Sequence, residues 1–218
     1  LTPAQILQLE TYLDLLQRWG RTYNLTAILD RPAMRVHHLL DSLALVPHLD
    51  ALTPPVGQGP APVLLDVGSG AGLPGVVVAI ARPGWKVLCV DAVAKKVGFI
   101  RQVAAELGLP NLEAAHARIE QLAQAPQWAP HAAAGGARVI TSRAFASLQD
   151  FLNATQGLLA TGGEWLAMKG QVPQAEIDAW KVEALAANPM RTEPPAVEVV
   201  ALQVPGLDAQ RCLVRVRA

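Results

Sequence analysis

Apolar positions along the chain change their period between its two parts. Over residues 3–20, Ile6, Leu9, Leu13 and Leu16 recur at helical spacing, with Tyr12 and Trp19 close by, which predicts an amphipathic helix. The stretch "MRVHHLLDSLALVPHL" at 34–49 predicts a second helix, stopped near Pro47. "TPPVGQGPAP" at 53–62 reads as a Pro/Gly linker, and beyond it the pattern alternates. Short apolar runs predict strands at 63–67, 86–90, 112–116, 137–141 and 163–168, with helical runs between them. In the best of these helices, 93–107, Val93, Val97, Ile100, Ala104 and Leu107 share a face, and Gly108 followed by Pro110 ends it.

Strands separated by helices need crossover connections, which imply a mainly parallel sheet covered on both faces. The end of the chain departs from this rule. Residues 196–206 and 211–218 are strand-like with only a short turn between them, so they should form an antiparallel hairpin. The expected fold is therefore α/β and Rossmann-like, a mainly parallel seven-stranded sheet with one antiparallel strand. Its expected organisation is a helical extension (1–52), the linker (53–62) and a sheet domain (63–218).

Composition narrows the possible partners. Lys plus Arg and Asp plus Glu number 18 each, so the molecule as a whole does not attract a polyanion, and an RNA partner would require a local patch. No apolar run reaches the roughly 20 residues of a membrane-spanning helix, and the first residues lack the pattern of a signal peptide. Cys89 and Cys212, each in an apolar run, read as buried thiols of a reducing, cytoplasmic compartment. The five histidines show no metal-like spacing, so no metal is expected.

The candidate chemistry lies in "LLDVGSGAGLPG", Leu64 to Gly75, a strand that ends in an acid and then in bare backbone. In an open α/β sheet such a loop sits at the carboxyl edge, where ligands bind. A triphosphate loop would end in Gly-Lys-Ser/Thr, and here Leu73-Pro74-Gly75 stands instead. The dinucleotide fingerprint wants glycine at 73 but finds it one place early, at Gly72, which weakens a nicotinamide or flavin enzyme without removing it. Asp66, Gly68, Gly70 and Gly72 suit S-adenosyl-L-methionine better. An acid beside the turn can hold the ammonium, and glycine backbone lets the methionine portion lie close. Asp91, ending the next strand, is the expected partner of the ribose hydroxyls.

With these residues placed, the chain resembles the glucose-inhibited division protein B family, the bacterial guanine-N7 methyltransferases of small-subunit ribosomal RNA. The resemblance runs through "YNLTAI" (23–28), "HLLDSLAL" (38–45), "DVGSGAGLPG" (66–75), "KKVGFIRQVAAELGL" (95–109), "SRAFASL" (142–148), "MKGQ" (168–171) and "LQVPGLDAQRCLV" (202–214). It implies an S-adenosylmethionine-dependent methyltransferase fold and 16S ribosomal RNA, or the 30S particle, as partner. Carried over by position, it places cofactor contacts at Gly68, Leu73, Asp91, Ile119, Glu120 and Arg143, with Ala92 and Val93 beside Asp91. A small-molecule methyltransferase of the same fold and a non-catalytic ribosome-assembly factor stand as alternatives.

Guanine N7 keeps a free lone pair in the neutral base, so its methylation needs placement and exclusion of water and no general base. No catalytic residue in the strict sense is therefore expected, and Arg143 is a positioning candidate. Lys169, Lys95, Lys96 and Arg101, with Arg35, His37 and His38 from the N-terminal part, are candidates for a phosphate-binding rim. Asp41 and Ser42 are expected to fix the N-terminal helices to the sheet domain, and the molecule is expected to be a monomer.

Overall fold

The computed structural model describes residues 1–55, 59–143, 145, 147–186 and 193–217. Its strands are β1 (Val63–Val67), β2 (Lys86–Asp91), β3 (Leu112–His116), β4 (Ala137–Ser142), β5 (Leu159–Lys169), β6 (Val197–Ala201) and β7 (Cys212–Arg217). They form one sheet in the order β3-β2-β1-β4-β5-β7-β6. β1 pairs in parallel with both β2 and β4, so the strand order reverses beside it and a crevice opens at the carboxyl ends of these strands. β7 runs antiparallel to β5 and to β6, which gives the expected terminal hairpin. Two strand limits differ from the sequence pattern by more than one residue. β5 starts four residues early, through a register shift opposite Ala137 that the polar run at 161–164 conceals, and β6 ends at Ala201.

Before the sheet come α1 (Pro3–Tyr23), α2 (Arg31–Met34), a π-helical turn (Arg35–Leu40), α3 (Asp41–Leu43) and α4 (Val46–Asp50). The single helix expected over 34–49 is thus broken, and Pro47 sits in the first turn of α4, where its missing N–H costs nothing. Between and after the strands lie α5 (Gly75–Ala81), α6 (Ala94–Glu106), α7 (Ala129–Ala133), α8 (Leu148–Thr155) and α9 (Gln174–Ala186). Part of the linker, residues 56–58, falls outside the described residues.

Side chains alternate between the two faces of the sheet, as the period of a strand requires. Leu64, Cys89, Val139 and Leu166 pack with α1, α5 and α6, while Leu65, Val90, Ile140 and Val214 pack with α8 and α9. Leu9, Tyr12, Leu13 and Leu16 of α1 are buried in the first of these layers, whereas Ile6 is half exposed and outside it. On α6 the buried stripe is Val97, Phe99, Ile100 and Val103, and Val93 is exposed. Polar contacts fasten α1 to the same layer. Gln5 Nε2 donates to the carbonyls of Ile80 (2.9 Å) and Ala81 (3.2 Å) at the end of α5, and Gln8 Nε2 donates to Leu107 O (3.0 Å) beyond α6. Both cysteines are buried free thiols.

Candidate active site

The loop after β1 is first held by backbone bonds. The amides of Gly68 and Ser69 donate to Val90 O at 2.9 and 3.1 Å, which draws the turn against the end of β2. Gly68 and Gly70 have φ of 67° and 59°, a region that L side chains rarely adopt, and a Cβ on either would project into open space. Room is therefore left along the loop where a ligand can lie close. Asp91 completes the turn: its Oδ2 accepts from Gly70 N (2.9 Å) and its Oδ1 from Val93 N (2.8 Å). Each oxygen retains a second lone pair, so the carboxylate can still receive two hydroxyls. Beside it opens a cavity of about 270 Å³ that includes Gly68, Asp91, Ala92, Ile119, Glu120 and Phe145 in its lining. One wall is apolar, from Ala117, Ile119 and Phe145, and suits a flat heterocycle. Asp91 and Glu120 add carboxylates to the lining.

Asp66 faces away from this cavity. It is fully buried, its Oδ2 accepts from Gly75 N at 2.8 Å, and its Oδ1 is buried without a partner. Burial raises its pKa to about 7. The Tyr12 hydroxyl, from α1, donates to Ala71 O at 2.9 Å inside the loop, and burial raises the Tyr12 pKa as well. The positive charge of Arg143 acts in the opposite sense on both groups.

A second cavity, of about 310 Å³, opens over the ends of β4 and β5. Arg143, Lys169 and Arg211 line it together with Asp41, His37 and His38. Asp41 is 2% exposed and bridges two distant arginines, with Oδ1 3.0 Å from Arg211 Nε and Oδ2 3.4 Å from Arg143 Nη1. Arg143 Nη1 also donates to His37 O (3.0 Å), a carbonyl in the π-helical turn. Such turns leave backbone groups outside the ordinary helical ladder and recur at functional sites. His38 is buried against Thr26, Nε2 to Oγ1 at 2.9 Å, and desolvation lowers its pKa, which keeps the ring neutral at pH 7.

The family described as GidB, rRNA small subunit methyltransferase G, matches residues 5–197. The chain belongs to that family. A ribosomal RNA small subunit methyltransferase G from Leptothrix cholodnii is 52% identical over 218 residues, 100% of this chain and 88% of that one. Its counterpart from Bordetella pertussis is 50% identical over 94% of this chain and 82% of its own. Among solved structures, a 16S rRNA (adenine(1408)-N(1))-methyltransferase mutant from Catenulisporales acidiphilia superposes with a TM-score of 0.54 at 18% identity, over 73% of this chain and 86% of that one. That likeness establishes the fold. Family membership makes the chain an S-adenosylmethionine-dependent methyltransferase.

For a GidB-family enzyme the candidate residues divide among several places. Gly68, Asp91, Ala92, Ile119 and Glu120 line the first cavity. Gly70, Gly72, Leu73 and Val93 are not in its lining, and at Gly72 a Cβ would come within 2.4 Å of Val76 Cγ2. The side chain of Asp66 turns inward to Gly75 instead of toward a ligand ammonium, because the strand places it in the layer beneath the loop. Arg143, Lys169, His37 and His38 meet at the second cavity, but the rest of the suggested rim does not join them. Arg35 pairs with Glu10 at 2.9 Å, Arg101 donates to Ala114 O, and Lys96 lies 3.8 Å from Asp91. Lys95 is exposed on α6 and lines neither cavity. Arg211 and Phe145 are additions from the structure. Both stand in stretches that resemble the family, but no local pattern distinguishes them. Among the described residues, no group of three or more His, Cys, Asp or Glu could hold a metal ion, and no helix is long and apolar enough to cross a membrane.

Proposed function

We propose that this enzyme transfers the methyl group of S-adenosylmethionine to N7 of a guanine in 16S ribosomal RNA. The observation that carries the reading is the presence of two cavities at one carboxyl edge, the first lined by Gly68 and Asp91 and the second by Arg143 and Lys169. The first has bare loop backbone and a strand-end carboxylate, the donor set that suits a nucleoside bearing an amino acid. Asp91 would take the ribose hydroxyls, Ile119 and Phe145 would enclose the adenine with Glu120 at its edge, and Arg143 would take the cofactor's carboxylate. When bound, the cofactor supplies an electrophilic methyl carbon on a sulfonium.

The chain's own task is then placement. Guanine N7 would supply the lone pair for the new N–C bond, and the electron pair of the S–C bond of the bound cofactor would stay on sulfur. No proton need move before transfer, so a buried, neutral His38 is compatible with the chemistry. Tyr12 and Asp91 fix the loop against which the donor lies, and the buried walls exclude water. Lys169 and His37, which line the second cavity, would face the RNA. We place the enzyme in the cytoplasm, acting as a monomer on the small subunit.

The test is methyl transfer from labelled S-adenosylmethionine to small ribosomal subunits that lack the modification, followed by nucleoside analysis. 7-Methylguanosine at a single site is expected, and it should be lost with Arg143→Ala. Label in a metabolite fraction and none in RNA would move the substrate to a small molecule.

A further inference from the structure

The second cavity carries more positive charge than the methyl donor can use. Building on the function just proposed, we propose that Arg211 and Lys169 form an anchor for one backbone phosphate of the substrate RNA, beside the target nucleotide and separate from Arg143. Three cationic side chains line the cavity against one carboxylate, Asp41. Among the described residues the apolar side chains of the lining are Ile28 and Met168, with no Phe, Tyr or Trp ring, and its arginines and His38 are held by hydrogen bonds to Asp41, Thr26 and backbone. Such a lining favours an oxyanion over a nucleobase. The attacking N7 must also keep its lone pair free for the methyl carbon, so strong donors are better spent on phosphate, which fixes register without touching the reacting edge.

Asp41 separates the arginines by function. Its Oδ2 holds Arg143, whose charge reaches Asp66 and Tyr12 beneath the cofactor loop, while its Oδ1 holds Arg211. Arg211 Nε is thereby fixed, Nη1 donates to Gln210 O, and among the described residues Nη2 has no partner. Lys169 is brought to the same place by register. It pairs with Cys212 across β5 and β7, one residue from Arg211, and Glu176 steadies its Nζ at 3.0 Å. Two cations, one at the end of β5 and one just before β7, each braced by a carboxylate, make a preorganised oxyanion site.

The measurement is the affinity of the full chain for unmodified small ribosomal subunits across a salt series, with S-adenosylmethionine affinity measured in parallel. Arg211→Ala should weaken subunit binding about tenfold at physiological salt and reduce the slope of log K against log salt by about one. Its cofactor affinity should stay within about twofold of wild type. Lys169→Ala should reduce the slope in the same way, and Arg211→Lys should keep the slope while losing part of the affinity, because the charge remains and the fork does not. Arg143→Ala should do the reverse, weakening cofactor binding more than subunit binding. The anchor is overturned if Arg211→Ala and Lys169→Ala lower cofactor affinity while the salt slope stays unchanged, which would assign the site to the cofactor's carboxylate. It is equally overturned if neither quantity moves. If Arg211→Ala fails to fold, the slopes of Arg211→Lys and Lys169→Ala decide. Failure of the wild-type enzyme to methylate the subunits would sink the proposed function instead, a separate outcome.

Discussion

The cavity at Gly68 and Asp91 draws its floor from two successive strand-to-helix turns, and the contact between Gly70 and Asp91 spans 21 residues. The cavity at Arg143 is assembled from the π-helical turn, the end of β4, the end of β5 and the approach to β7, and its central contact, Asp41 to Arg211, spans 170. One is tied together by backbone amides on the Asp91 carboxylate, the other by side chains held by a shared buried ion. The difference sets how each should fail. A backbone cradle fails at the residue that ties its turns together, whereas a charge cluster fails when the ion at its centre is lost.

Asp91→Ala should produce the largest effect. It removes the acceptor of both the Gly70 and Val93 amides and the expected partner of the ribose. Cofactor affinity should fall about 100-fold, near 3 kcal/mol, by calorimetric titration, with subunit affinity little changed. An equal loss on both ligands would mean that the two cavities are not independent.

Asp66→Asn probes the layer beneath the loop through pH. Burial raises the folded pKa of Asp66 from 3.8 to about 7, so between these values the folded state binds the extra proton. Its contribution to stability is therefore full below about pH 4 and is lost as pH rises through 7. Asn does not titrate. The unfolding free energy of the wild type relative to the variant, followed by denaturant titration, should fall from pH 4 to 7 and level off above, with a slope no steeper than about 1.4 kcal/mol per pH unit. A flat difference would show that Asp66 is ionised throughout.

Asp41→Asn tests the charge cluster at its centre. Removing one carboxylate loosens Arg143 and Arg211 together, so cofactor affinity and subunit affinity should each fall several-fold, up to about tenfold, in parallel titrations. No other single change proposed here should damage both halves.

The same contrast explains what the sequence could disclose. Strand and helix periods revealed the parallel sheet and its antiparallel end, because each element must bury a face that its own pattern shows. Gly68 and Asp91 come to one cavity because each stands at the end of a strand, and parallel strands bring their ends to one edge; Ile119 and Glu120, which only the family resemblance suggested, line the same cavity after β3. The inward turn of Asp66 was not legible, since a strand-end acid can face either the ligand or the layer below. Nor could spacing show that Arg35 would be taken up by Glu10 and Arg101 by Ala114 O, which left a cation rim suggested by sequence divided in three dimensions. Arg211 was hidden altogether, because its meaning depends on a carboxylate at the other end of the chain.

Tyr12→Phe should have the smallest effect and is the sharpest test of how α1 bears on the cofactor half. The ring packs 6.2 Å from Phe99, centre to centre, and would remain, so only the hydroxyl bond to Ala71 O is lost. Ala71 O would then be a buried acceptor without that donor, which costs about 1 kcal/mol. If the bond serves only stability, the melting temperature falls by about 2–4 °C and both affinities stay the same. The loop's geometry argues for more. Ala71 lies between Gly70, which is tied to Asp91, and Gly72, whose φ is 89°, so a shift at Ala71 moves the backbone on which the donor lies. Cofactor affinity should therefore drop about threefold while subunit affinity holds, and this split would make α1 a support for the backbone-built cavity and not for the ionic one.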